Sequence, residues 1–250
     1  MQNFKEIAEE NEEYSNNIEE YIPKSYVQNF GHTKKSLSKL IKEYDVENIS
    51  IINGRTQDVM FQVGDYKNIV VLNFANNKNV GGGYLRGCYA QEEDLCRVFP
   101  KLYQSLGRTG KYPFKPPQVI CSDLMDCTRD VETYNWLPES DWKQFYIVSA
   151  AAPNVKSKND RFHEEIVTKT FDNILLAPIK RFKLKNPKDN CIILGAWGCG
   201  GFGNNPEIMA ELMINEIEKY GGHYDKIVFA IPKSNKGRNY EIFKNIFDST

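Results

Sequence analysis

Three consecutive glycines, Gly81-Gly82-Gly83, are followed, after seven intervening residues, by Gln91-Glu92-Glu93. The run before them, 68–74 (NIVVLNF), is short, apolar and β-branched, which predicts a buried strand of a parallel sheet. That strand ends in Asn73-Phe74-Ala75-Asn76. Glycines placed just after a strand let the backbone approach a ligand with no Cβ in the way. The two carboxylates come where an amphipathic helix begins: Leu95, Val98, Phe99, Leu102 and Leu106 recur at helical spacing, with Pro100 bending or interrupting the run. A backbone cradle followed at once by acids fits catalysis on a sugar or phosphate compound. Alone, Glu92 and Glu93 would read as a charged first turn favoured by the helix dipole. The glycines and asparagines beside them tip the reading towards chemistry.

A second constellation spans 191–220. The strand CIILGA runs into Gly198-Cys199-Gly200-Gly201-Phe202-Gly203, and Asn204-Asn205-Pro206 opens a helix. Asn205 is a good N-cap, Pro206 suits the first helical position, and Gly221-Gly222 end the helix. Such a loop at a helix N-terminus offers N–H groups and a positive dipole end to a phosphate or diphosphate. Gly198, Gly200 and Gly203 also satisfy G-x-G-x-x-G. The following strand, KIVFAI, nevertheless ends in Pro232-Lys233-Ser234 with no acid for a ribose, and the motif lies too near the C-terminus for a dinucleotide fold. Phosphate binding survives that demotion. Phe202 reads either as a ligand contact or as an anchor pinning the loop. Cys199 has no histidine nearby in sequence to activate it and reads as a small buried residue.

The elements that must hold these loops alternate. Strands are expected over 48–52, 68–74, 118–122, 145–150, 191–194 and 226–231, helices over 91–106, 160–182 and 206–220, and an additional edge strand over 59–63. Alternating β and α segments imply a layered sheet with helices on both faces. Residues 1–45 are charged and helix-prone, with no glycine before Gly31. They are expected as two helices broken near Pro23 and Gly31, with Leu37, Leu40, Ile41 and Tyr44 docking on the domain of residues 46–250. Residues 107–143, rich in Pro, Gly and Trp, hold one strand and long loops.

With 250 residues, 41% hydrophobic and 26% charged, the chain can form one packed α/β domain. A formal net charge of -1 gives no global field for nucleic acid or an anionic membrane. Lys183, Lys185 and Lys188 read as a solvated loop. The six cysteines form no C-x-x-C pair, and His32, His163 and His223 lie far apart, so no metal site is expected. The acidic N-terminus is unlike a secretory signal, and no apolar run is long enough to span a membrane. A reduced, cytoplasmic setting and a monomer are the expectation.

The triple glycine and Gln-Glu-Glu at this distance resemble the signature of the poly(ADP-ribose) glycohydrolases. Asn73–Asn76 (NFAN), Ala90–Cys96 (AQEEDLC), Ser149–Asn154 (SAAAPN) and Leu194–Asn205 (LGAWGCGGFGNN) resemble the microbial branch of that macrodomain-related family, in the same order. The resemblance implies a three-layer α/β/α macrodomain-like fold with a mixed central sheet and an N-terminal helical extension. It implies hydrolysis of ribose–ribose bonds in poly(ADP-ribose), or in ADP-ribosylated macromolecules, releasing ADP-ribose without a cofactor. In that scheme Glu93 is the single acid/base and Glu92 holds a ribose hydroxyl. Substrate binding would fall to Asn73, Phe74, Asn76, Gly81, Gly82, Gly83, Gln91, Gly198, Cys199, Gly200, Gly201, Phe202, Gly203 and Asn204, with Phe202 packing against the terminal ribose. Asn73 and Asn76 amides can donate to and accept from ribose hydroxyls, or instead cap the strand end. Asn154 would shape the adenine end. A mono-ADP-ribosyl hydrolase is the alternative, and a non-catalytic ADP-ribose reader is a third. The acid pair speaks against the reader, since two extra negative charges gain nothing in binding a diphosphate.

Overall fold

The computed structural model describes residues 3–18, 22–29, 37–158, 160–234 and 237–249. In chain order the elements are α1 (Phe4–Asn17), β1 (Ser25–Gln28), β2 (Ser50–Ile52), α2 (Thr56–Val59), β3 (Asn68–Phe74), α3 (Gln91–Val98), α4 (Leu102–Gly107), β4 (Val119–Cys127), β5 (Lys143–Ala150), α5 (Glu164–Arg181), β6 (Asn190–Leu194), α6 (Pro206–Tyr220), β7 (Lys226–Ala230) and α7 (Asn239–Asp248). The strands form one sheet in the order β1-β4-β5-β3-β6-β7-β2. The run from β5 to β2 is parallel, whereas β4 pairs antiparallel with both β5 and β1, so the sheet is mixed.

Successive strand residues point to opposite faces, and the central strands are apolar on both. Val70, Leu72, Ile192, Leu194, Ile227 and Phe229 pack with α5, α6 and α7. Ile69, Val71, Cys191, Ile193 and Val228 pack with α2, α3 and α4, and Ala8 of α1 joins that side. These are the three layers. No helix among the described residues is long and apolar enough to cross a membrane.

The structure departs from the expected elements in several places. Val59–Val63 is not a strand: Thr56–Val59 is a helical turn whose first residues are held by Arg55 and Asp58. The expected helix over 91–106 is two, α3 and α4, because Pro100 lacks the N–H that would continue the ladder. Before Pro23 the described residues form the helix α1 as expected, but Ser25–Gln28 is a strand on the sheet edge. Its Ser25 hydroxyl meets those of Ser105 and Ser122, each at 2.7 Å. Most of the expected second helix, with Gly31, lies outside the described residues, which resume at a helical Leu37 and the turn Ser38–Leu40. Leu37, Leu40 and Tyr44 do pack on the core, while Ile41 is exposed. Gly221 and Gly222 end α6 for a reason of space: a Cβ on Gly222 would stand 2.3 Å from the Glu43 carbonyl oxygen and one on Gly221 2.8 Å from the Tyr44 Cβ.

Candidate active site

The carboxyl ends of β3 and β6, neighbours at the centre of the sheet, carry the two glycine loops to one cleft of about 1,090 Å³. From β3 the chain passes through Gly81–Gly83 and enters α3, whose N-cap, Ala90, has no side chain to offer. The first-turn side chains reach back instead. Gln91 takes the Phe74 N–H on Oε1 at 2.8 Å and donates to the Leu72 carbonyl at 2.7 Å. Glu92 Oε2 accepts the Asn76 N–H at 2.8 Å, and Glu93 Oε1 accepts that of Gly83 at 2.8 Å. Gln-Glu-Glu therefore ties the helix to the strand end and the glycine loop. Each glutamate gives one oxygen to this tie. Glu92 Oε1 and Glu93 Oε2 are buried and make no hydrogen bond of good geometry.

Gly82 lies under both acids. Its φ is +59°, and a Cβ there would stand 2.7 Å from Glu93 Oε1 and 3.0 Å from Glu92 Oε2, so a side chain would collide with the pair. Glu92 is 4% exposed and Glu93 7%. Burial pushes Glu92 up to about 8, and the Glu93 charge adds to the rise. The Asn76 N–H, the Asn73 amide and the Gly81 N–H pull the other way. Burial thus outweighs the helix N-terminus before any substrate arrives.

The second loop is clasped by Asn204, whose Nδ2 donates to the carbonyls of Pro153 (2.7 Å) and Gly198 (3.0 Å). Gly198, at φ +78°, could carry no Cβ, which would meet Ala152 and Asn204 at 2.5 and 2.6 Å. Asn205 caps α6 as the sequence predicts, accepting from Glu207 and Ile208. The cap occupies the helix's own first donors, which leaves the loop N–H groups as the donors facing the cleft. There Cys199, Gly203 and Asn204 N–H groups bond within the loop. Those of Gly200, Gly201 and Phe202 are left for a ligand, with Lys156 alongside, its Nζ 3.5 Å from the Gly200 carbonyl. Phe202 lines the cleft and packs on the core below. Burial pushes the Cys199 thiol up to about 12, which removes it as a thiolate nucleophile.

Among the residues expected at the site, Phe74, Asn76, Gly82, Gly83, Gln91, Glu92, Glu93 and all of 198–204 line the cleft. Asn73 and Gly81 do not. Asn73 is fully buried, donates to Ser149 Oγ at 3.0 Å and acts from beneath on Glu92. Asn76 Oδ1 caps its own loop, accepting from Lys78 and Asn79 N–H. Asn154 is also absent from the wall, its N–H bonded to Asp160. Sequence reasoning missed Arg55, Arg86, Tyr89 and Lys156, which all line it. Arg55 could have been found, since it follows the carboxyl end of a strand, where open α/β sheets bind ligands. The described residues contain no group of three His, Cys, Asp or Glu able to hold a metal ion.

Residues 2–118 match the family model for the microbial-type PARG catalytic domain. Over that span, a little under half of the chain, the sequence is similar to the microbial-type PARG catalytic domain. The matched segment contains the triple glycine and both glutamates. The poly(ADP-ribose) glycohydrolase of Thermomonospora curvata bound to the inhibitor ADP-HPD is 23% identical, with 97% of this chain and 98% of that one covered at a TM-score of 0.72. The Deinococcus radiodurans enzyme in complex with ADP-ribose is 22% identical, with 90% and 94% covered at 0.70. At these identities the likeness establishes a shared fold across the PARG structures. No curated protein matches the chain significantly.

Proposed function

We propose that the chain hydrolyses ribose–ribose O-glycosidic bonds in poly(ADP-ribose) and releases ADP-ribose, with Glu93 as its one acid/base. The observation that carries this is the pair of adjacent buried carboxylates, each with an unbonded oxygen, in a cleft continuous with a phosphate-sized N–H cradle. The relatives from T. curvata and D. radiodurans, in complexes with ADP-HPD and ADP-ribose, support the same ligand class.

Cleavage of a ribosyl bond passes through an oxocarbenium-like transition state and needs a proton for the leaving oxygen and an activated water. Two neighbouring acids cannot flank the bond, so one must serve both steps. Glu93 gives its proton to the departing ribose oxygen as the bond to the anomeric carbon breaks. As a carboxylate it then takes a proton from the water whose oxygen bonds to that carbon. Glu92, kept neutral by burial, donates to a ribose hydroxyl and spares the site a second negative charge. Gly200, Gly201 and Phe202 N–H groups hold the diphosphate, and the Phe202 ring supports the terminal ribose.

The test incubates the protein separately with labelled polymer and with mono-ADP-ribosylated protein. Release of ADP-ribose from the polymer is expected. Glu93→Gln should lower that release by at least about 100-fold, while ADP-ribose affinity stays within about tenfold, roughly 1.4 kcal/mol. Turnover confined to the mono-modified substrate would favour the alternative linkage, and near-wild-type turnover by the variant would sink the mechanism.

A further inference from the structure

We propose that Tyr89 and Arg86 form a second nucleotide subsite, which takes the base and phosphates of the unit on the departing side of the scissile bond. This rests on the hydrolase reading above and deepens it, because it makes a nucleotide on both sides of the bond the preferred substrate.

The sheet plane orders the cleft. The loop 198–203 belongs to the layer of α5, α6 and α7, where Trp197, Cys199 and Phe202 pack. The glutamates enter from the opposite layer with α3, whose Leu95 and Cys96 pack there. Tyr89 and Arg86 lie farther out on that second side: Tyr89 stacks on Phe4 of α1, with centroids 5.5 Å apart and planes at 14°. The diphosphate loop and this pair therefore bound the cleft from opposite layers, with the carboxylates entering from the pair's side. A sugar bound across them would extend in both directions.

The chemistry of the outer pair suits a nucleotide. Tyr89 is 58% exposed and lines the cleft. One ring face is backed by Phe4, which itself covers the Arg97 guanidinium at 4.2 Å. The other face is left for a base, as an aromatic platform held in place before binding. Arg86 is exposed, and its Nη2 would stand 3.4 Å from a Cβ on Gly83, the residue whose N–H holds Glu93. Arg55 is gripped by Asp58 at 2.7 and 2.9 Å. Arg86 has no ion pair among the described residues and so offers an unneutralised cation beside the scissile bond. With Lys156 at the far loop, the cleft carries a cation on each side of its acids. That matches a substrate with a diphosphate on each side.

Two substrates with the same ribosyl bond test this: the ADP-ribose dimer, and ADP-ribosyl-ribose, which lacks the departing nucleotide. Wild type should favour the dimer in kcat/KM by at least about tenfold. Tyr89→Ala should erase most of that preference, and Tyr89→Phe, which keeps the stacking face, should retain it. Arg86→Gln should also lower the preference and flatten its dependence on salt. Equal turnover of both substrates by wild type would overturn the subsite, as would losses in Tyr89→Ala and Arg86→Gln that fall equally on both. A wild-type protein that cleaves neither would overturn the hydrolase reading first and the subsite with it.

Discussion

At Glu92 two effects of opposite sign meet. The Asn76 N–H at 2.8 Å and the helix N-terminus favour the carboxylate, and burial disfavours it and wins, raising the group to about 8 from 4.5. A carboxyl whose folded value lies above its unfolded one holds a proton that the unfolded chain has released. Its contribution is therefore lost as pH climbs from about 4.5 to about 8. Glu92→Gln keeps an acceptor for Asn76 and removes the titration. Its melting temperature should match wild type near pH 4.5 and exceed it by at least about 2 °C at pH 8, while turnover falls. Melts across pH 4.5–9 check this, and an offset independent of pH would contradict it. The glycines and acids were legible because their geometry is local, a loop entering a helix. Asn73 and Gly81 read as wall residues yet lie beneath it, because no local pattern tells the cavity side of a strand end from its underside. Arg86 and Tyr89 carried no signal either, since their place depends on Phe4, far off in sequence.

At the scale of elements, α1 is what holds the helix that carries Glu92 and Glu93. Pro100 ends α3 and leaves its last carbonyls without partners from the continuing chain. Asn11 Nδ2 donates to those of Cys96 (3.2 Å) and Arg97 (3.0 Å), and Ser15 Oγ to that of Pro100 at 2.9 Å. Asn11 Oδ1 in turn accepts from Arg129 Nε at 2.7 Å. Asn11→Ala leaves buried carbonyls and a buried guanidinium N–H unpaired, a cost of about 2–3 kcal/mol, measurable by urea unfolding. Because α3 carries Glu92 and Glu93, turnover should fall beyond the loss of folded protein, by up to about 100-fold. A variant that loses stability but keeps full kcat would make α1 mere packing. The helical character of α1 was legible from its composition, whereas its partners, about 85 residues away, were not. Edge strand β1 escaped because four half-buried residues show no clean alternation. Helix α7 was within reach: Tyr240, Phe243, Ile246 and Phe247 recur at helical spacing and pack on the core.

For the whole molecule, the sequence told the layers but not the order of the strands. Alternating elements imply helices on both faces, yet the antiparallel placement of β4 between β1 and β5 rests on pairings between distant segments. The same non-local packing brings Asp172 of α5 against Glu216 of α6, at 4% and 6% exposure. Burial, the hydrogen bond to Glu216 and its charge raise Asp172 from 3.8 to about 8, against opposing pulls from Lys219 and Lys169; Glu216 itself is bonded to Lys219 Nζ at 2.6 Å. In spacing and type these acids resemble any solvated helix charge. Burial and the neighbouring acid thus favour a proton on Asp172 at the seam between the two helices. The unfolded chain releases that proton above about pH 4 and the folded one only at higher pH, so stability falls as pH rises through that range. Asp172→Asn supplies a neutral donor to Glu216 at every pH. It should melt close to wild type at pH 4 and at least about 2 °C higher at pH 9, with ADP-ribose affinity unchanged because neither acid lines the cleft. Calorimetric scans over that range decide it. A variant less stable than wild type at pH 9 would mean that Asp172 is ionised and paired in the folded protein, and that the helices are joined by charge instead of by a shared proton.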